Sequence, residues 1–478
     1  MPCTAVVPNL TAREQAQFIE DNVPPGLFKT EDESARIPWR VSPEPFALSA
    51  KTLAQIEEIG HDLLAFYRAL NNLYNRSARG TAPAFIAEYL DRGKPEHIVR
   101  LARQNRFKQE IPGVIRPDLI LTEDGFAASE LDSVPGGMGF VGAMADAYCK
   151  AGIESIGGPN GIPEGFAAML AHATGIEKPT VAIVVSDESG DYRPELRWLA
   201  AAARRLDLVN AYVVEPQEVI FTEDAMFVRL EDGREEKLDA IYRNFELFDL
   251  LNVPKWELMT YAARHNRVKL TPPPKAALEE KLSFALFHHP ALAKLWRDEL
   301  GKDVFERLKT VFPMTWVLDP RQLPPQGVIW GLDVNGSPVS DFHQLIELGK
   351  SDRDYVVKPS GFSELAWGSR GVKIANDLTK DEWKAALETA LASFDRTPYI
   401  LQRFHKGKRI RMPYLDRTQG EIKMFDARVR LTPYFFVTGD DSVRTGGILA
   451  TVAPADKKLI HGMSDAVMTS SFIKENGY

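Results

Sequence analysis

The sequence predicts a mixed α/β protein in which most strands pair antiparallel and one stretch forms a parallel βαβ unit. Three observations carry this. Residues 179–215 run as a strand (PTVAIVVSD), a helix (RPELRWLAAAARRLD) and a second strand (NAYVVEP), the order that builds an open parallel sheet. Residues 116–132 run as two short strands, RPDLILT and FAASELD, folded about Glu123-Asp124-Gly125. Residues 52–75 place Leu53, Ile56, Ile59, Leu63, Phe66, Leu70 and Leu73 at helical spacing. With 478 residues, 44% of them hydrophobic, the chain is long enough to bury a large core and to divide into subdomains.

Taken in order, the proline-rich first 50 residues predict an extended wrap, and 84–90 and 97–104 predict short helices after the amphipathic one. Residues 1–105 thus form an N-terminal, mostly helical extension. The hairpin segment spans 106–178, with a tight Ser133-Val134-Pro135-Gly136-Gly137 loop and a helix from Gly139 to Lys150 that buries Cys149. The βαβ region fills 179–270. It has no GxGxxG after its first strand, so the dinucleotide fingerprint is missing. Arg243 and Asn244 end a later strand there, where a ligand or a structural contact could use them. Three consecutive prolines, Pro272 to Pro274, mark the next boundary. Residues 271–350 follow, as a helix with Lys281 in its second turn and then a loop-rich linker. In 351–478, the strand DYVVKPS carries Lys358, and Gly361, Gly368 and Gly371 punctuate the loop after it. A helix (DEWKAALETALASF), the strand TPYILQRFH, a basic run from Arg403 to Arg411, a strand pair over 422–437 and the strand SVRTGGILATVAP complete the chain, before a short amphipathic tail.

Composition excludes several classes. The net charge of −8 (58 basic and 66 acidic residues) argues against a general nucleic-acid binder. No apolar run approaches bilayer length, so the sequence predicts a soluble protein without a membrane partner. Two cysteines, Cys3 and Cys149, are too few for a disulfide framework or a zinc site. With no visible leader, they favour a reducing cytoplasm.

The chemistry concentrates in the hairpin. A three-residue loop closing on Gly125 puts Thr122 opposite Phe126, Asp118 opposite Glu130 and Arg116 opposite Asp132, with all four charged side chains on one face. Opposed carboxylates roughly 5 Å apart repel unless a cation sits between them. Asp118, Glu130 and Asp132 around one position suit Mg²⁺ holding nucleotide phosphates, and Arg116 suits a phosphate oxygen or an oxyanion. An ordinary polar hairpin with an Arg116–Asp132 surface ion pair is the plainer alternative. A two-residue Asp124-Gly125 turn would shift the pairing by one. The strand lysine with its glycine loop is a workable phosphate cover, although it is not a Walker A sequence.

These pieces, in this order, resemble the circularly permuted ATP-grasp enzymes of the glutathionylspermidine synthetase type. The resemblance rests on Arg116-Pro117-Asp118 with Glu130-Leu131-Asp132, the Rossmann-like segment, Lys281 after the prolines, Lys358-Pro359 with its glycine loop, and the strand Ile400 to Phe404. It covers about residues 110–478. It implies an ATP-grasp-like core and an ATP- and Mg²⁺-dependent ligase that joins a small-molecule or peptide carboxylate to an amine through an acyl phosphate. It also implies roles. Asp118, Glu130 and Asp132 would bind metal, and Lys281, Lys358, Gly361, Gly368 and Gly371 would bind phosphates. Gln402 and Phe404 would flank adenine, and Arg116 would stabilise the transferring group. Ser133, Gly136 and Gly137 would touch the carboxylate substrate. Asp132 stands where the family has asparagine, and Arg403 where it has glutamate. A small-molecule kinase is one alternative, and these departures keep a nucleotide-binding protein without turnover as another.

Overall fold

The computed structural model describes Cys3 and residues 9–27, 37–366, 370–462 and 465–478. The chain is mixed α/β and is built on three main sheets. The largest orders its strands Phe46–Leu48, Val467–Ile473, Ser442–Pro454, Glu421–Gly439, Val114–Leu121 and Phe126–Asp132, with Ile410–Asp416 also paired to Glu421–Gly439. All its neighbours are antiparallel except the pair formed by Phe46–Leu48 and Val467–Ile473.

The long strand Glu421–Gly439 shows why the sheet lies at the centre. Side chains alternate faces along a strand. Leu431, Phe435 and Val437 pack with the helix Ala50–Ala78, while Tyr434 and Phe436 pack with the helices Met138–Lys150 and Gly161–Thr174. Both faces are covered over its second half, so every residue from Ala427 to Val437 except Arg430 is buried. Each large side chain withdrawn from water here contributes about 1.5–3 kcal/mol.

The second sheet is fully parallel, in the order Lys269–Thr271, Ala240–Asn244, Thr180–Val185 and Asn210–Val214. Its strand Thr180–Val185 is buried from Val181 onward, as a parallel strand covered by helices requires. The third sheet runs Thr315–Val317, Tyr399–Arg403, Tyr355–Pro359 and Lys373–Ile374, all antiparallel. The helix Lys380–Ala392 begins with a Thr379/Glu382 capping box and buries Trp383 among the apolar side chains beside this sheet.

Several expectations change. The first 50 residues include a helix, Ala12–Asn22, fixed by a Thr11/Glu14 capping box. The stretch after the three prolines is not one helix. A short turn, Ala276–Leu278, gives way to the helix Leu282–His288, so Lys281 precedes the first turn instead of lying in the second. The expected strand pair over 422–437 is one 19-residue strand. The expected amphipathic tail is the strand Val467–Ile473, whose Val467 to Ser471 are buried within the large sheet. Cys149 is only half-buried and forms a disulfide with Cys3. Such bonds persist in oxidising compartments, so the cysteines no longer argue for a reducing one. Among the described residues, no helix is long and apolar enough to cross a membrane.

Candidate functional site

The hairpin reaches the expected pairing by an unexpected route. Leu121, not Thr122, lies opposite Phe126, and the loop closes with the Thr122 amide donating to the Gly125 carbonyl at 2.9 Å. That displaces the turn-proximal register by one residue. A β-bulge between Asp118 and Leu119 then leaves Ser129 unpaired and restores the count, so Asp118 faces Glu130 and Arg116 faces Asp132. The bulge also frees the Ser129 carbonyl from the ladder, and the Lys358 ammonium donates to it at 2.6 Å.

Two cavities meet at this ribbon. The first, of about 100 Å³, is lined at one end by Asp118, Ser129, Glu130, Lys358 and Arg430, and at the other by Val356, Ile374, Gln402, Arg403, Phe404, Leu459 and Ile460. The second, of about 380 Å³, is lined by Arg116, Asp132, Gly136, Gly137, Ser189, Tyr192, Asn244, Glu246 and Tyr434. Asp118, Glu130, Arg430 and His461 belong to both walls. The second cavity also lies at the carboxyl ends of adjacent parallel strands, where Asn244 follows the register of Val185 and Ser189 comes just beyond. Open α/β sheets bind ligands at such ends.

Asp118, Glu130 and Asp132 each have a cationic partner. Asp118 is buried, with Arg430 Nη1 at 3.0 Å and Arg116 Nε at 3.6 Å, and it accepts from Thr432 Oγ1 at 3.3 Å. Glu130 meets Lys281 Nζ at 2.5 Å. Asp132 takes Arg116 Nη2 at 2.9 Å and the Val134 amide at 2.9 Å. Arg116 also donates to the Gly136 carbonyl at 3.2 Å, which the Tyr434 hydroxyl shares at 2.7 Å. Lys358 is fixed by Ser129 and by Gln402 Oε1 at 2.8 Å, while Gln402 Nε2 donates to Thr315 at 3.2 Å. From distant parts of the chain, Lys281 thus reaches Glu130 itself and Lys358 the backbone carbonyl just before it.

Charge and desolvation compete here. Burial pulls the Lys358 ammonium down to about 8, with Lys281 adding to the effect and Glu130 and Asp118 only partly opposing it. Burial also works against the Lys281 charge, but Glu130 outweighs it and raises the lysine. Glu130 is lowered because Lys281 and Lys358 overcome its own desolvation. Asp132 goes the other way, since desolvation exceeds the pull of Arg116. Beside it, burial and the neighbouring Glu279 and Asp132 push Glu246 up to about 8.

The remaining expected residues divide. Ser133, Glu246, Glu279, Lys281 and Gly361 line a small recess of about 70 Å³ next to the second cavity, and the buried Ser133 hydroxyl has no hydrogen-bond partner. Gly136 and Gly137 line the second cavity itself. The Gly361 amide donates to Glu280 at 2.9 Å and the Gly371 amide to the Leu365 carbonyl at 2.8 Å, so in this structure neither amide is free to meet a phosphate. Gly368 lies outside the described residues. Gln402 and Phe404 line the first cavity, but the amides of Arg403 and Phe404 are spent on Met314 and Asp354, which leaves any base contact there to carbonyls and side chains. Arg243 is structural. It is fully buried and bound to Glu279 and to the Phe245, Pro272 and Pro273 carbonyls. Asn244, also buried, lines the second cavity with an unpartnered Oδ1.

Sequence reasoning missed Arg430, Thr432 and His461, because no local motif distinguishes them. Glu246 carried a weak signal, two residues past a strand that already ended in polar groups. Glu195 carried none. It caps the helix Met138–Lys150 by accepting from the Gly137 amide at 2.8 Å and from those of Gly139 and Phe140, and burial lifts it to about 7.

Whether Mg²⁺ fits can be judged from the donors. Among the described residues, no group of three His, Cys, Asp or Glu side chains is arranged to hold a metal. Mg²⁺ commonly takes one or two carboxylates and completes its shell with water and phosphate oxygens. Asp118 and Glu130 are such a pair, facing one cavity with basic side chains about them. Asp132 belongs to the second cavity.

Neither a protein-family model nor a curated protein sequence matches the chain. Among solved structures, it is similar to a glutathione synthetase-like effector from Globodera pallida in its apo form, with a TM-score of 0.58 and 15% identity, covering 98% of this chain and 100% of that one. That likeness establishes a shared fold. A protein from Methylobacillus flagellatus, provisionally named a gamma-glutamylcysteine synthetase, aligns with a TM-score of 0.40 and 10% identity over 84% of this chain and 87% of that one, and carries no argument.

Proposed function

We propose that this protein is an ATP- and Mg²⁺-dependent carboxylate–amine ligase with an ATP-grasp-like core, working through an acyl phosphate. The observation that carries the reading is the shared wall. A cavity with an apolar end and an end lined by Lys358 meets a cavity rich in acceptors and donors across Asp118, Glu130 and Arg430. The name of the similar structure, glutathione synthetase-like, supports the same reaction class.

In this reading, the apolar end of the first cavity takes the base, and Lys358 and Lys281 neutralise phosphate charge. Asp118 and Glu130 would hold Mg²⁺, whose contribution is to offset the charge of the phosphate oxygens. Arg430 and Arg116 flank the point of transfer from either side. Both guanidinium groups line the second cavity beside the carboxylates they pair with, where they would meet an incoming oxyanion. The γ-phosphorus–oxygen bond to ADP breaks as the substrate carboxylate oxygen bonds to phosphorus. The amine nitrogen then bonds to the acyl carbon and phosphate leaves. The amine's proton needs an acceptor: Glu246 in its ionised form would take it, and the burial and neighbouring carboxylates that raise this group would help it hold the proton afterwards. Asp132 positions Arg116.

The acidic recess of Asp132, Glu246 and Glu279 favours a ligase over a kinase, because a phosphorylated product alone would need no amine site. The test is a screen of amino acids, peptides and polyamines for ADP release, with mass spectrometry of the products. The expected result is ADP formation matched by an amide. A stable phosphorylated acid without amide would support the kinase instead, and nucleotide binding without any ADP would support a protein lacking turnover.

A further inference from the structure

The first hundred residues have so far no part in the site, yet they send one side chain deep beneath it. Lys94, in the turn between the helices Phe85–Asp91 and Glu96–Ala102, pairs with Glu280 at 2.6 Å, and the two side chains are 1% and 0% exposed. Glu280 immediately precedes Lys281. Its carboxylate also accepts from Ser360 Oγ at 2.5 Å and from the Gly361 amide at 2.9 Å, and those residues begin two positions after Lys358. One buried carboxylate therefore ties together the backbone neighbours of both phosphate-facing lysines, and Lys94 is the cation that holds it. Enclosure raises the Glu280 carboxyl, but Lys94, Ser360 and Gly361 outweigh that and keep it ionised.

The surroundings are built to hold the contact. A Cβ on Gly361 would stand 2.1 Å from the Glu279 carbonyl, so only glycine lets the loop lie this close to the Glu279-Glu280 backbone. Gly93 adopts φ +73°, and a Cβ there would lie 2.1 Å from the Arg396 carbonyl, which presses the turn against the chain entering the strand Tyr399–Arg403. Tyr89 donates to Asp319 at 2.7 Å and Arg92 meets Asp395 at 2.7 Å, fastening the same helix and turn to the third sheet. A buried ion pair contributes little net stability, since desolvating both charges costs about what their attraction returns. Its use here is geometric.

We infer that Lys94 is a positioning residue of the nucleotide site, setting Lys281, Lys358 and the start of the glycine loop through Glu280. The inference rests on the nucleotide reading above, and its test separates the two. Lys94→Met combined with Glu280→Met removes the tether without leaving a lone buried charge. Lys94→Arg keeps the charge. Affinity for Mg²⁺ with a non-hydrolysable ATP analogue is measured by calorimetry, and trypsin cleavage at Arg370 or Lys373 is followed without nucleotide. The double variant is expected to keep the wild-type melting midpoint within a few degrees, to bind at least about tenfold more weakly and to be cut faster, with Lys94→Arg close to wild type in both assays. Wild-type affinity and wild-type cleavage in the double variant would overturn the inference. If the wild-type protein itself fails to bind nucleotide, the nucleotide reading falls, and the positioning role falls with it. The cleavage rates then decide only whether Lys94 and Glu280 tether the loop.

Discussion

Lys358 sets the expected pH behaviour of the site. In the free protein it releases its proton near 8, against an ordinary value of 10.5. Between those limits the unfolded chain binds the extra proton, so this lysine's contribution to stability increases as pH rises. Phosphate binding has the opposite sign. It favours the ammonium, so nucleotide affinity should be full below pH 8 and fall by up to about tenfold per pH unit above it. Calorimetric titrations from pH 6.5 to 9.5 would check this, and Lys358→Arg should flatten the profile. Asp118→Asn and Glu130→Gln should each lower ADP release by at least about 100-fold while costing about 1–3 kcal/mol of stability. Near-normal turnover in either variant, measured alongside urea unfolding, would remove that carboxylate from the chemistry. The residue types and their pairing across the ribbon were legible in the sequence. So was the Arg116–Asp132 pair, but the Arg430 partner of Asp118 was not. Arg430 reaches Asp118 from 312 positions away, a proximity that only the sheet order creates.

At the scale of elements, the hairpin shows how a right pairing can rest on a wrong turn. The sequence signals a turn at Gly125, but a bulge has no strong local signature, and the unpaired Ser129 is what aligns the carboxylates. Deleting Ser129 should slide the strand by one residue and turn Glu130 from the face it shares with Asp118. The deletion variant is expected to fold with a lowered melting midpoint and to lose nucleotide affinity, as calorimetry would read; retained affinity would show that the bulge is incidental. Periodicity located the helix Ala50–Ala78 and the strand Thr180–Val185 well, because each carries its own apolar pattern. It misjudged the segment after the prolines, where 271 to 278 are buried and follow tertiary contacts instead of helix propensity. The closing strand Val467–Ile473 was also hidden, since its meaning depends on neighbours far away in sequence.

For the whole molecule, the mixed α/β class follows from the order of elements, but the way the ends of the chain are tied in does not. Phe46–Leu48 pairs with Val467–Ile473, and the Cys3–Cys149 disulfide spans 146 positions, so both ends are bound into the body that carries the site. Cys149→Ser should lower stability by roughly 2–4 kcal/mol. Guanidinium unfolding with and without reductant would measure it, and reductant should then have no effect on the variant. The central claim is that one cavity presents Lys358, Asp118 and Glu130 to the phosphates of a nucleotide, with Lys281 paired to Glu130 from the adjoining recess. Calorimetric binding of Mg²⁺ with a non-hydrolysable ATP analogue to the wild-type protein and to Lys358→Ala tests it most directly. The account predicts clear wild-type binding that weakens at least about tenfold in the variant. No wild-type binding, or equal affinity in both proteins, would contradict it.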